Sequence, residues 1–482
     1  MSTKYSAKLQ QLLDKKRANT GFDVVPEKIF GLKDVPEWIK RYVEIGSKPH
    51  PYQFEVVKWM TTMKHGGVLN LDPGLGKTFI SLLHANLTYS MSNLVVCNKS
   101  QMPVWLEEIR KFYGSRFTYV LAHKEYDRPL YNYTVDELER PDFVITTYES
   151  ITSCYRKTSE FPEVYWNNVY CDEVHRIRNA ATELHEMIGR IRCKRFWGLT
   201  GSLIHNTISD ARNIQEIIDP DSIYSLANIK TLRLQDVGIV LPTLHKHYIY
   251  TNFTPKQKGY YDSYSLQAES ILNDLKPRNK QTWGEIFAIL TRLRQLTIAP
   301  SLLEDSHDIK FEDSEGYKSP RIEAVAKKIS ESKDQGVVFC FFRKSLELIK
   351  RNLRERGIRC KVIKSEHNSQ RKQHYIDMFR QGEYQVILTT YKTGGLGFNL
   401  TNANQVYLCS LWWNMQVIQQ AFRRCFRPGQ VKETSVHFFM KRGSIEDKML
   451  EICKSKSDMS DNFLMENFKT IKISRDVLKM LF

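Results

Sequence analysis

The sequence predicts an α/β fold: two parallel-sheet lobes with a helical insertion between the two strand series. Short apolar, β-branched runs alternate with longer amphipathic stretches, the pattern of βαβ units. The alternation comes in two series, separated by a stretch of different character. With 482 residues, the chain is long for one core and comfortable for two lobes of roughly 150–250 residues each.

In the first series the expected strands are Gly67–Leu71, Leu94–Cys97, Phe143–Thr146, Val169–Cys171 and Phe196–Thr200, with helical patterns at Thr78–Tyr89 and Met102–Phe112. The second series has Val337–Phe341, Val386–Thr389, Gln405–Leu408 and Ser435–Phe439, with a helix over Ser345–Arg356. Between them, Pro255–Asn273 and Trp283–Leu296 read as helices and Glu304–Glu315 as an acidic loop. The expected division is an N-terminal helical extension (1–45), lobe one (46–225), linker and insertion (226–318), lobe two (319–450) and a helical tail (451–482).

Hydrophobic residues make up 41% and aromatics 12%, as in a globular protein. No apolar run approaches the roughly 20 residues that span a bilayer, so no membrane partner is expected. Met1 to Thr20 lacks the apolar stretch of a secretory signal. Nine cysteines are scattered singly from Cys97 to Cys453 with no CxxC pair. That pattern argues against a disulfide framework and against zinc, and for a reducing, intracellular setting. Lys plus Arg number 71 against 54 acidic residues, a formal charge of +17 that suits a polyanionic partner.

Asp72-Pro73-Gly74-Leu75-Gly76-Lys77-Thr78 follows an expected strand and opens an expected helix. Glycines there let backbone N–H groups approach phosphate oxygens, and the helix N-terminus adds its dipole. This assigns Asp72, Gly74, Gly76, Lys77 and Thr78 to nucleotide binding. Lys77 faces the β and γ phosphates, and the Thr78 hydroxyl ligates Mg²⁺. The general phosphate-loop pattern has a further Gly where this chain has Leu71, a departure common in helicase-type loops. Further on, an expected strand ends in Asp172-Glu173. Such an ending is commonplace by itself. Paired with the phosphate loop, it supplies Asp172 to hold Mg²⁺ through water and Glu173 to orient and deprotonate the attacking water. Phosphoryl transfer also needs positive charge beyond the γ-phosphate. Arg424 and Arg427, three apart, share one face if they lie on a helix.

With these residues in place, the chain resembles the Swi/Snf-type ATPases, the SNF-two branch of helicase superfamily two, over roughly Lys48 to Met449. His50-Pro51-Tyr52-Gln53 is similar to the family's adenine-contacting element, with Gln53 the reader. Leu94 to Trp105 and Val144 to Glu149 resemble its DNA-contacting motifs, Asp172 to Asn179 its acidic motif, and Leu199 to Asn206 its coupling motif. Leu290 to Leu302 looks like a stretch of its insertion. Thr393 to Thr401, Trp412-Trp413-Asn414 and Gln419 to Gln430 are close to its second-lobe signatures. Ser410, Leu411, Met415 and Leu203 depart from the usual residues, and none of them is a phosphate, metal or arginine-finger position.

The resemblance implies RecA-like lobes, ATP and Mg²⁺ as cofactors, and Gln420 at the nucleotide beside Arg424 and Arg427. It implies a motor stimulated by double-stranded DNA that translocates without unwinding it. Contacts to phosphates are implied for Lys99, Ser100, Thr146 and Thr147 in lobe one, and for Asn399, Thr401 and Trp412 in lobe two. Trp412 and Trp413 also read as ordinary core aromatics. The alternatives are a strand-separating DNA or RNA helicase of the same superfamily and an inactive nucleic-acid-binding scaffold. No targeting module is evident, which leaves a stand-alone motor or a subunit directed by a protein partner, in nucleus or cytoplasm.

Overall fold

A computed structural model describes residues 49–88, 90–114, 117–157, 161–201, 208–219, 227–273, 280–304, 319–394, 399–411 and 415–455. The chain divides into two compact units between Ile239 and Val240.

Among the described residues, the first unit carries seven strands: β1 (Gly66–Leu71), β2 (Asn93–Cys97), β3 (Tyr119–Leu121), β4 (Phe143–Thr147), β5 (Trp166–Asp172), β6 (Cys193–Thr200) and β7 (Ile229–Leu232). They form one sheet in the order β3-β4-β2-β5-β6-β1-β7, every pairing parallel. Its helices are α1 (Pro51–Thr62), α2 (Lys77–Leu87), α3 (Met102–Tyr113), α4 (Val135–Glu139), α5 (Tyr148–Lys157), α6 (Glu183–Gly189) and α7 (Ile208–Ile218). A sheet covered on both faces needs apolar side chains pointing both ways, and β1, β2 and β4 are buried along their whole length. Leu69, Val95, Ile145, Tyr170 and Trp197 pack on one face with Val57, Ile80 and Trp105. Val68, Val96, Val144, Val169 and Phe196 pack on the other with Ile151, Ile188 and Ile214.

The second unit carries β8 (Leu244–Thr251), β9 (Gly336–Cys340), β10 (Cys360–Ile363), β11 (Val386–Thr390), β12 (Gln405–Leu408) and β13 (Thr434–Lys441). Their order is β10-β11-β9-β12-β13-β8, again all parallel. The helices are α8 (Pro255–Asn273), α9 (Lys280–Ile298), α10 (Pro320–Ser330), α11 (Arg343–Glu355), α12 (Ser369–Arg380), α13 (Tyr391–Gly394), α14 (Met415–Phe422) and α15 (Ile445–Ser455). Leu290, Leu293 and Leu296 of α9 pack with Val337, Phe339, Val406 and Phe438. Ile322, Val325, Leu346 and Ile349 pack with Val338, Leu388, Tyr407 and Phe439.

The stretch read from sequence as linker and insertion, 226–318, therefore lends a strand to each sheet. Both strands are edge strands of mixed polarity, which is why no apolar run announced them. β8 is half-exposed over most of its length and holds its place through an eight-residue register with β13, from Leu244–Thr434 to Thr251–Lys441. The two insertion helices form one wall of the second unit's core. The extension 1–45, residues 202–207 of the coupling motif, Trp412 to Asn414 and residues 456–482 of the tail lie outside the described residues. No described helix is long and apolar enough to cross a membrane.

Candidate active site

Ligands of open parallel sheets bind beyond the carboxyl ends of the strands, and the first unit gathers its chemistry there. β1 ends at Leu71 and α2 opens at Lys77. Gly74 and Gly76, with φ of 95° and 77°, make the turn between them. The left-handed backbone at Gly76 favours glycine, and a Cβ there would stand 2.6 Å from the end of the Gln53 side chain, Nε2, at the start of α1. Gln53 is buried. Its Nε2 donates to the Leu75 carbonyl at 3.3 Å, and its Oε1 accepts the His50 N–H at 2.9 Å. The Tyr52 hydroxyl donates to the same carbonyl at 3.2 Å, and the His50 and Tyr52 rings stack with centroids 5.6 Å apart. The Lys77 ammonium donates to the Leu71 carbonyl at 2.7 Å, inside the loop it is expected to serve. Thr78 stands one residue on, in the first turn of α2.

Asp72 is placed differently from its expected nucleotide role. One carboxylate oxygen accepts from Arg233 Nη1 at 3.2 Å and the other from the Leu234 N–H at 3.1 Å. It anchors the loop to the segment after β7. Gly201, just past β6, lies alongside: a Cβ there would meet Pro73 at 3.3 Å.

β5 delivers the acidic pair. One strand, β6, separates it from β1, which puts the two strand ends about 10 Å apart. Asp172 is buried, and burial followed by the adjacent Glu173 charge pushes its carboxyl up to about 6. The Trp105 indole N–H and the Lys77 charge pull the other way. Glu173 takes a left-handed backbone (φ 56°, ψ 51°). Its N–H donates to Asp172 Oδ1 at 3.0 Å, and its own Oε2 lies 3.3 Å from His175 Nδ1.

Of the expected DNA-contacting residues in this unit, Lys99 and Ser100 occupy a short turn, Lys99–Gln101, directly after β2. Lys99 is half-exposed and pairs with Glu125. Thr146 and Thr147, at the end of β4, do not present their side chains. Both are buried. The Thr146 hydroxyl donates to the Ala122 carbonyl at 2.8 Å, and Thr147 Oγ1 accepts the Ser150 N–H at 3.1 Å, starting α5. Strand burial and helix initiation claim these groups.

In the second unit, α14 ends at Phe422, so Arg424 and Arg427 follow the helix and do not share a helical face. Pro428 and Gly429 (φ 98°) mark where the turn ends. Gln430 Nε2 holds it, donating to the carbonyls of Thr401 (3.1 Å), Ala403 (2.9 Å) and Cys425 (3.2 Å). The Leu400 N–H donates to the Arg424 carbonyl at 3.0 Å, which joins Asn399 and Thr401 to the arginine turn. Gln420 is half-buried on α14. Trp412 lies outside the described residues.

Sequence reasoning missed three side chains around the acidic pair. The Trp105 indole N–H donates to Asp172 Oδ2 at 3.2 Å, and the Tyr148 hydroxyl donates to the Asp172 carbonyl at 2.7 Å. Arg176 donates to Asn98 Oδ1 and to Glu149 Oε1, both at 2.8 Å. Their positions fall inside the motifs already singled out, yet periodicity marks the two aromatics only as core.

A nucleoside triphosphate with Mg²⁺ fits this donor set. The loop turns on left-handed glycines at Gly74 and Gly76, the Lys77 ammonium lies within it, and a carboxylate raised by burial and then by a neighbouring acid gains from a divalent cation. No cluster of three or more metal-ligating side chains exists among the described residues.

The SNF2-related domain family matches residues 52–234, and the helicase conserved C-terminal domain family matches residues 320–429. The chain is 24% identical to the helicase-type protein 172L of Invertebrate iridescent virus 6, over 86% of this chain and 90% of that protein. It is 24% identical to the ISWI chromatin-remodeling complex ATPase ISW1 of Saccharomyces cerevisiae, over 89% of this chain and 42% of that one. Among solved structures it is similar to the Sulfolobus solfataricus SWI2/SNF2 ATPase core in complex with dsDNA, with 22% identity, coverage of 89% and 98%, and a TM-score of 0.40. The matched families frame the phosphate loop, acidic pair and arginine turn in order, and the chain belongs to the SNF2 family of superfamily-two ATPases, ATP-hydrolysing enzymes.

Proposed function

We propose that the chain is a DNA-stimulated ATPase that translocates along double-stranded DNA and remodels protein–DNA or DNA structures. The observation that carries this reading is the sharing of one sheet edge. Lys77 follows β1, Asp172 closes β5 and Glu173 comes directly after it, while β2, paired directly with β5, runs into the turn at Lys99. ATP with Mg²⁺ supplies the phosphoryl group that is transferred to water. Lys77 holds its phosphates, Thr78 and Asp172 hold the cation, and Glu173 takes the proton from water at its carboxylate. Arg424 and Arg427 are proposed to add positive charge during turnover, an effect worth about 10³–10⁵ in rate for arginine fingers. A formal charge of +17 supports a polyanionic track. The name of the yeast relative, a chromatin-remodeling complex ATPase, supports duplex DNA over RNA. An intracellular location, and a protein partner that directs the motor, belong to the same proposal.

The test is ATP hydrolysis with no nucleic acid, duplex DNA, single-stranded DNA or RNA, with Lys77→Ala as background. Strong stimulation by duplex DNA is expected. Stimulation chiefly by single strands or RNA would replace this reading with a strand-separating helicase.

A further inference from the structure

The three side chains that periodicity did not mark form a connection with a direction. Two turns at the carboxyl edge of the first sheet lead into helices: Lys99–Gln101 into α3, and the end of β4 into α5. Within α3, Trp105 is fully buried, and its indole N–H ends on Asp172 Oδ2, 3.2 Å away. At the first residue of α5, Tyr148 is fully buried, and its hydroxyl ends on the Asp172 carbonyl at 2.7 Å. Buried tryptophan and tyrosine generally find a polar partner. Here two of them, arriving from separate turns, reach the same acidic residue.

Arg176 closes the circuit from the other side. It lies three residues beyond Glu173, bonds Asn98 at the first turn and Glu149 at the second, and sets its guanidinium 4.8 Å from the centre of the Tyr148 ring. Both turns are thus tied to Asp172 or its immediate neighbours. Close-packed interiors pass a displacement on instead of absorbing it. Asp172 Oδ1 also accepts the Glu173 N–H, so a movement of Asp172 carries Glu173 with it.

We infer that Trp105, Tyr148 and Arg176 are positioning residues that convey occupancy of the 98–101 turn by a nucleic-acid backbone to Asp172 and Glu173. The inference rests on the proposed DNA-stimulated function and adds the path by which stimulation reaches the acidic pair. A misplacement near 1 Å at a reacting group costs about a hundred-fold in rate, so a shift too small to alter the fold is enough to switch hydrolysis.

The test measures coupling between two ligands in the full chain: duplex DNA, and a fluorescent non-hydrolysable ATP analogue with Mg²⁺. Each dissociation constant is measured with and without saturating amounts of the other ligand. Their ratio is the coupling factor, ordinarily about 5–150-fold where two sites communicate. Trp105→Phe removes the indole N–H, and Tyr148→Phe removes one oxygen. Tyr170→Phe is the control, because Tyr170 lies on β5 two residues before Asp172 and its buried hydroxyl bonds His84 of α2 at 2.8 Å. The expected result is a coupling factor that collapses toward one in Trp105→Phe and Tyr148→Phe, survives in Tyr170→Phe, and leaves each ligand's separate affinity within about two-fold. DNA-stimulated kcat should fall about ten-fold or more in the same two variants.

Coupling retained in both variants overturns the inference. A wild-type chain that binds duplex DNA without coupling overturns it too and leaves the DNA reading standing. A wild-type chain that binds no DNA overturns both. Should Trp105→Phe not fold, Tyr148→Phe decides alone, since it keeps the ring and its contact with Arg176.

Discussion

Glu173 holds a left-handed backbone that costs a non-glycine residue about 1–3 kcal/mol, and such strain persists where the surroundings over-determine it. Its carboxylate beside His175 and its N–H on Asp172 are consistent with a group held ready for water. Glu173→Gln should therefore retain nucleotide binding and lose about 10²–10⁴ in kcat, read by equilibrium binding alongside steady-state hydrolysis. Lys77→Ala should weaken binding of the triphosphate itself. At this scale much of the site was legible in sequence. Glycine, lysine and threonine in a strand–loop–helix setting suit little chemistry besides phosphate binding, and the acidic pair needed only the loop to become specific. Thr146 and Thr147 mislead because a motif gives residue types and order, whereas their hydroxyls face a carbonyl and a helix start. Trp105 and Tyr148 were hidden because an apolar ring and its single polar atom read as one core residue.

Helices and strands carry their own consequences. Buried His84 on α2 packs against Tyr170 of β5 and Trp197 of β6, and burial followed by the Arg195 charge lowers its pKa to about 3. The unfolded chain takes up this proton near pH 6.5 while the folded chain refuses it until about pH 3. Stability is thus complete above 6.5 and declines as pH falls through that window, by about 2 kcal/mol at pH 5. The difference in urea stability between pH 7.5 and pH 5 should shrink by that amount in His84→Phe. In the second unit, Arg321 and Glu446 form a fully buried pair that ties α10 to α15. Glu446 also accepts from Thr297 of α9 and from the Lys441 N–H at the end of β13. Glu446→Gln leaves Arg321 buried without its counter-charge and should destabilise this unit by about 3–5 kcal/mol in chemical denaturation. Through this network the insertion becomes part of the second unit. Helical spacing predicted α8 and α9 well, but no local pattern records that a threonine and a glutamate far apart in sequence meet in one core.

Two sheets in one chain, each with apolar side chains on both faces, were foreseeable from two series of alternating runs, since burial on both faces leaves a continuous apolar signature. Edge strands β7 and β8 leave none, so the boundary between the units was legible only to within a few tens of residues. The arginine turn shows the same limit: spacing suggested a helix, while Gln430 and its three carbonyl partners shape a turn. An ATPase that grips phosphates should respond to salt. With four phosphates engaged, doubling the salt concentration should raise the duplex concentration for half-maximal stimulation about ten-fold, and the shift should be nearly independent of DNA sequence. Movement is the central claim, and displacement of a third strand from a DNA triplex measures it most directly. The account predicts ATP-dependent displacement by the wild-type chain, none by Lys77→Ala, and an intact underlying duplex. Hydrolysis stimulated by duplex DNA without displacement, or displacement accompanied by separation of the duplex, would contradict it.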